Sequence, residues 1–399
     1  MLFSRIAPAA VVILSGMVAA LHIGKLPPAI PVLRDSLGVT LLQAGFLLSL
    51  VQMAGMSLGV LIGVAADSAG FRRSMVTGQV ILALASLVGA WAQGPVGLLA
   101  LRALEGLGFL LVVLSAPSLI RQLMPPSRLA LYLGFWGTYM ATGTSVALLT
   151  GPLVIALAGW PAWWGLMGCI SALMALWVAR RVPSDAARRQ AAPPSTAAVD
   201  TWQQRLRLTL SRPGPWCVAL TFLLYAGQWN AVIGFLPSIY AQAGIVGMLA
   251  GVLTAIASLV NIVGSIAAGR LLHQGICARH LIYTGFLCMA AGAFLALGEP
   301  TADAPVLRFV AVVMFSAVGG LIPGALFSVA VHVAPSERTV STTVGWMQQG
   351  SATGSFVLPP LVAWVAGQVG GWEWTWAVTG SCCVLGMLLA RGITYARHA

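Results

Sequence analysis

Charge is what this sequence has least of. Only 8% of its 399 residues are Asp, Glu, Lys or Arg, against roughly a quarter in a soluble protein. That excludes a water-soluble fold with an ionic surface. Acidic residues number nine. Cysteine is sparse as well. None of Cys169, Cys217, Cys277, Cys288, Cys382 and Cys383 forms a CxxC pair, so no metal framework is indicated and the cysteines read as small buried hydrophobes. No HExxH and no Walker-type phosphate loop occur, so neither a zinc hydrolase nor an ATP-driven machine is indicated. Short alternating segments are missing too, which argues against a transmembrane barrel. No enzyme and no cofactor are expected.

What is present is apolar length. Hydrophobic residues make up 59% of the chain, with mean hydropathy +0.93. A membrane-spanning helix needs about 20 mostly apolar residues. Runs bounded by charge, Pro or Gly give twelve expected spans: 6–29, 41–66, 74–93, 96–123, 129–158, 162–181, 214–241, 246–270, 279–298, 306–332, 338–367 and 373–395. The first, which follows Arg5, is read as a retained helix rather than a cleaved leader, because it continues to about Leu26 and further spans follow. The 45 Gly suit a lipid-embedded helix bundle, in which small residues let backbones approach closely. The expected fold class is all-α, with twelve transmembrane helices.

Residues 182–213 differ from the rest, being polar and rich in Ala, Pro and Arg. The expected organisation is a first six-helix bundle over 1–181, a cytoplasmic linker over 182–213 and a second bundle over 214–399. Near Thr201–Leu210 the linker has the character of an amphipathic surface helix. With the N-terminus inside, the cytoplasmic segments take nearly all of the 21 Lys and Arg. Only Arg34 and Arg308 fall outside, and Lys25 and Arg102 fall within spans. This bias predicts both termini in the cytoplasm and a multi-pass protein of the plasma membrane, the bacterial inner membrane. It also accounts for the net charge of +12 without a nucleic-acid partner. Trp91, Trp160, Trp163, Trp164, Trp372, Trp374 and Trp376 are expected in the outer aromatic belt.

The two halves look alike. "PPSRLALYLGFW" at 125–136 parallels "APSERTVSTTVGW" at 334–346, and "GWPAWW" at 159–164 parallels "GWEWTW" at 371–376. An even number of spans per half makes this a parallel repeat, an architecture that places a substrate near the midplane.

Between two uncharged stretches stands "GVAADSAGFRR", 63–73. Gly63, Asp67, Gly70, Arg72 and Arg73 match the loop motif G-x-x-x-D-x-x-G-x-R-R/K of the major facilitator superfamily of secondary transporters. The chain resembles that family over essentially its whole length. The resemblance implies two parallel six-helix repeats, alternating access, and a gating role for the motif, in which Asp67 latches one half to the other. The second-half counterpart has His273 where Asp is usual. In "LLALRALEGLGF", 98–109, Arg102, Glu105, Gly106 and Gly108 resemble the family's fourth-helix pattern, with Glu in place of Gln. The fifth-helix pattern of drug antiporters is matched only in part, by Gly143, Gly151 and Pro152. By overall pattern the chain further resembles the cyanate-permease-like branch.

Ionisable residues inside a membrane are costly and mark functional sites. Here they are His22, Lys25, Arg102 and Glu105, which sum to +1 with His neutral. Such a set favours a small polar or anionic solute, with Glu105 or His22 carrying a coupling proton and Lys25 and Arg102 meeting the anion. Tyr139, Tyr225, Gln228, Trp229, Asn230 and Gln348 supply neutral polar or aromatic groups to the expected binding surface. The expected function is therefore a proton-coupled secondary transporter in the lipid bilayer, working as a monomer. Drug:proton efflux is the alternative transporter reading. A non-transporting solute sensor is a third, disfavoured because linker and tails are short for a signalling domain.

Overall fold

The computed structural model describes residues 7–57, 70–125, 128, 132, 135–184, 201–336 and 339–393. Every regular element among them is helical. In chain order these are α1 (Pro8–Gly24), α2 (Ile30–Leu37), α3 (Leu41–Ser49), α4 (Phe71–Gly89), α5 (Pro95–Leu123), α6 (Tyr139–Arg181), α7 (Trp202–Leu210), α8 (Pro213–Gln242), α9 (Met248–Leu259), α10 (Asn261–His273), α11 (Ala278–Leu297), α12 (Pro305–Gly319), α13 (Leu321–Val333), α14 (Val340–Val369) and α15 (Thr375–Arg391).

Nine of the described helical stretches are long and apolar enough to cross a membrane, and Leu41–Ser57 and Thr375–Arg391 are shorter apolar helices. Within the described residues, apolar helices lie where the spans were expected, with two features that sequence runs do not display. The first is α6. Its 43 residues would extend about 65 Å if straight, twice the roughly 30 Å hydrocarbon core. The backbone breaks at Gly159, with φ 79° and ψ 167°, a conformation open essentially to Gly. Pro161 follows and disfavours helix at the residue before it. The two limbs of this broken helix correspond to the expected span 129–158, from Tyr139 on, and to the expected span 162–181. The second feature is a pair of interrupted spans. α9 passes into α10 at Val260, and α12 into α13 at Gly320. The two breaks touch: a Cβ on Gly264 would lie 2.9 Å from Cα of Gly320.

Two compact units are present. The first comprises 1–39, 58–199 and 244–255, and the second 40–57, 200–243 and 256–399. Within each, glycines stand where helix backbones approach closely. In the first unit a Cβ on Gly78 of α4 would lie 2.6 Å from the Gly108 carbonyl oxygen of α5, and one on Gly108 would lie 2.7 Å from the Gly78 carbonyl oxygen. In the second, a Cβ on Gly227 of α8 would lie 2.5 Å from the carbonyl oxygen of Gly354 on α14. Backbone-on-backbone packing of this kind is how helices associate where lipid removes the hydrophobic drive between them. Overpacking costs about 1–3 kcal/mol. Gly108→Val is therefore expected to lower the melting temperature of the purified protein in detergent by several degrees, read by tryptophan fluorescence. An unchanged transition would mean that the α4–α5 contact opens freely.

Polarity is inverted relative to a soluble protein. Leu84, Val88, Leu157 and Leu173 are exposed, whereas His22, Lys25, Gln79, Ser86, Arg102, Glu105 and Gln228 are buried. An apolar exterior of this extent is a surface for lipid.

Candidate functional site

Four helices of the first unit contribute to one buried cluster built around a single carboxylate. α1 ends at Gly24, with Lys25 as its C-cap, and Pro27 and Pro28 stop the helix there. The terminal carbonyls of a helix lack intrahelical partners, and at this end side chains of other helices take them. Arg102 Nη1 of α5 donates to the His22 carbonyl (2.5 Å). Trp163 Nε1 of α6 donates to the Lys25 carbonyl (2.9 Å). Cations at a helix C-terminus also meet the negative end of its dipole.

Arg102 and Glu105 lie one turn apart on α5, and Arg102 Nη1 donates to Glu105 Oε2 (2.7 Å). The other carboxylate oxygen, Oε1, accepts from Lys25 Nζ and lies 3.4 Å from His22 Nδ1. Lys25 Nζ also donates to Ser86 Oγ of α4 (2.6 Å) and sits 4.8 Å from the centre of the Trp164 ring. His22 Nε2 pairs with Ser171 Oγ of α6 (2.7 Å). His22 and Lys25 are 0% exposed, Glu105 2% and Arg102 3%. Among the described residues, two cations share one carboxylate with an imidazole beside it, all of them out of water. A buried charge is tolerated only when paired and hydrogen-bonded, and this network supplies those partners.

The structure thus brings His22, Lys25, Arg102 and Glu105 into one cluster, although 80 residues separate the α1 pair from the α5 pair. Lys25 does not reach an aqueous interface; its ammonium is held inside by Glu105, Ser86 and Trp164. The expected aromatic belt needs correcting at Trp160, Trp163, Trp164 and Trp372, which are buried, whereas Trp91 and Trp374 are exposed. Apolar runs show where a Trp falls along a helix but not around it, and here Trp163 and Trp164 wall the charge cluster. Reading the sequence missed these two, together with Ser86 and Ser171. The only signal available was their position in the membrane segments facing His22 and Lys25.

The remaining candidates occupy other places. Tyr139 stacks on Trp136, with ring centres 4.1 Å apart and planes at 13°. In the second unit, Asn261 Nδ2 at the start of α10 donates to the Tyr225 hydroxyl (2.8 Å) and to the Ser316 carbonyl (2.8 Å). Trp229 Nε1 donates to Ser316 Oγ (2.9 Å), and Asn230 Nδ2 donates to Ser355 Oγ (2.7 Å). Gln228 is buried and accepts from Cys383 Sγ (3.3 Å). Gln348 is exposed, while its neighbour Gln349 donates to the Met56 carbonyl (2.7 Å). Asn261 and Ser316 link Tyr225 and Trp229 in one neutral polar network, and Ser355 pairs separately with Asn230.

Of the loop motif, Gly63 and Asp67 lie outside the described residues. Gly70 has φ 100° and precedes α4, a left-handed value that favours glycine. Arg72 donates to the Ala179 carbonyl near the C-terminus of α6, and Arg73 is exposed. Among the described residues no three His, Cys, Asp or Glu come together as metal ligands.

A family model described as Major Facilitator Superfamily matches residues 12–344. Among solved structures, a bacterial homologue of the human lysosomal transporter Spinster, inward-facing and occupied, superposes with a TM-score of 0.79 at 15% identity, covering 96% of each chain. A D-xylose-proton symporter superposes with a TM-score of 0.73 at 17% identity, again over 96% of each chain. At these identities the likeness is one of fold.

Proposed function

The chain belongs to the Major Facilitator Superfamily and is a membrane transporter, and from that premise we propose that it moves a small polar anion together with a proton by alternating access. One observation carries this reading: Lys25 and Arg102 share the single carboxylate of Glu105 in a buried site. While Glu105 is ionised, it occupies both cations. Once a proton neutralises Glu105, two positive charges remain in a low-dielectric surrounding, where an uncompensated charge is costly. An incoming anion restores the balance. Proton and anion therefore bind better together than singly, and such coupling is reciprocal by linkage. Release of the anion returns Glu105 to its carboxylate form and the proton leaves. His22, beside both Glu105 and Ser171, stands where it can relay that proton. The symporter named among the structural neighbours is compatible with this sign of coupling.

The proposal includes the organisation expected above: bundles over 1–181 and 214–399, the linker over 182–213 inside the cell, both termini cytoplasmic, and a plasma-membrane location. It also assigns Gly63, Asp67, Gly70, Arg72 and Arg73 to gating. The neutral polar groups of Tyr225, Trp229, Asn230 and Asn261 are assigned to solute contact, together with Tyr139, Gln228 and Gln348.

A thermal-shift screen of the purified protein, at about pH 5.5 and about pH 7.5, tests the reading, because a ligand for the folded state raises stability by mass action. Small organic and inorganic anions are expected to stabilise, more strongly at the lower pH. Stabilisation by lipophilic cations alone would overturn anion transport in favour of drug efflux.

A further inference from the structure

At the end of the second unit where α8 and α14 begin, α7 packs against both. It is short but firmly started: Thr201 Oγ1 accepts from the Gln204 N–H (3.4 Å), and Gln204 Oε1 accepts from the Thr201 N–H (3.0 Å). This reciprocal capping box satisfies donors at the helix start. From Thr201 to Trp216 there is no acidic residue, but there are three arginines, Arg205, Arg207 and Arg212. Arg207 and Arg212 are exposed. Leu206 and Leu210 line a groove along α7 beside Arg207, so an apolar strip and a cationic rim run together.

A second observation points to an acceptor at this place. Arg205 Nε is buried without a hydrogen-bond partner, and so are Thr343 Oγ1 and Trp346 Nε1 on the first turns of α14. Thr343 and Trp346 are three residues apart and share a helix face. Trp346 is held edge-on against Trp216, with centroids 4.8 Å apart, and the Trp216 indole N–H is occupied by the Leu210 carbonyl (3.0 Å). Buried donors in native proteins normally have an acceptor. These three sit on two elements that touch.

We propose that α7 and the first turns of α14 bind an anionic phospholipid. The headgroup phosphate accepts from Arg205 and from the Thr343 and Trp346 donors, Arg207 and Arg212 supply the surrounding positive field, and an acyl chain lies along Leu206 and Leu210. A phosphate offers several acceptor oxygens and pairs well with a planar guanidinium. A basic amphipathic helix at a membrane surface gains from both apolar burial and charge. The site is independent of the Glu105 cluster and of the coupling proposed for it.

The test uses the full chain in a neutral detergent, titrated with phosphatidylglycerol, phosphatidylcholine or inorganic phosphate, and read by melting temperature and by lipid retained in native mass spectrometry. Phosphatidylglycerol is expected to raise the melting temperature and stay bound, with an affinity that falls as salt rises. Phosphatidylcholine, whose choline cancels the charge, is expected to bind about tenfold more weakly or worse. Arg205→Gln with Arg207→Gln should abolish that preference. Should the arginine variant not fold, Thr343→Val with Trp346→Phe removes only the unpartnered donors and should weaken phosphatidylglycerol retention about tenfold. Equal binding of both lipids, stabilisation by inorganic phosphate to the same extent, or unchanged retention in the Thr343/Trp346 variant would each overturn the proposal.

Discussion

Replacing Glu105 with Gln should abolish gradient-driven accumulation of the substrate anion while sparing exchange of labelled for unlabelled substrate. The amide keeps the shape of the carboxyl group and accepts a hydrogen bond, but it carries no charge and takes no proton. Lys25 and Arg102, which in the wild type share that carboxylate, then face an unoccupied anion position at every pH. Binding loses its proton requirement, so anion affinity in E105Q should be nearly flat across the range in which the wild type binds better on acidification. The variant resembles the protonated wild type, so a bound anion should stabilise it more than it stabilises the wild type. Reconstituted vesicles with an imposed pH gradient separate the two activities. Loss of exchange together with accumulation, in a variant that still binds anion and elutes as a folded protein, would assign Glu105 to the conformational change rather than to coupling. If a pH-dependent anion affinity persists in E105Q, the coupling proton resides elsewhere, and His22, whose Nδ1 lies 3.4 Å from Glu105 Oε1 in the wild type, is the neighbouring ionisable group to replace next.

Lys25→Met should weaken anion binding strongly while leaving the fold standing. Met keeps an unbranched apolar stem and loses the ammonium that sits over Trp164. The remaining Arg102–Glu105 pair is balanced while Glu105 is ionised, and protonation of Glu105 then leaves one positive charge to meet the anion instead of two. Truncating one member of a buried, hydrogen-bonded charge pair typically costs about 2–5 kcal/mol. Taken from substrate binding, even the lower figure is a loss of about thirtyfold in affinity. Thermal-shift titration with the best anion of the screen measures it, and the ligand-free melting temperature reports folding. A variant that binds anion within about twofold of wild type would make Lys25 a structural counter-ion for Glu105 and leave Arg102 alone to meet the substrate.

The fold class was written into the sequence because lipid imposes a coarse rule. Every backbone polar group must be satisfied internally, so length and hydropathy suffice to mark helices, and Arg placement suffices to predict their direction. The four ionisable residues of the site were legible for a related reason. Charge in an apolar run is expensive, so each of His22, Lys25, Arg102 and Glu105 stands out without knowledge of its neighbours. Gly70 and Arg72 were legible as parts of a spaced motif. What the runs could not carry is rotation about a helix axis and the pairing of distant turns. That Trp163 and Trp164 turn inward to wall Lys25, while Trp91 stays exposed, depends on the break at Gly159 and on how α6 packs against α1 and α4. Ser86 and Ser171 have no signature as ligands, since a single hydroxyl in a helix is common and acquires meaning only from the ammonium or imidazole opposite it. The shared carboxylate is of the same kind. Sequence spacing pairs Arg102 with Glu105, three residues apart on one helix, but only the packing of α1 on α5 brings Lys25 to the same carboxylate and makes it one acid between two bases.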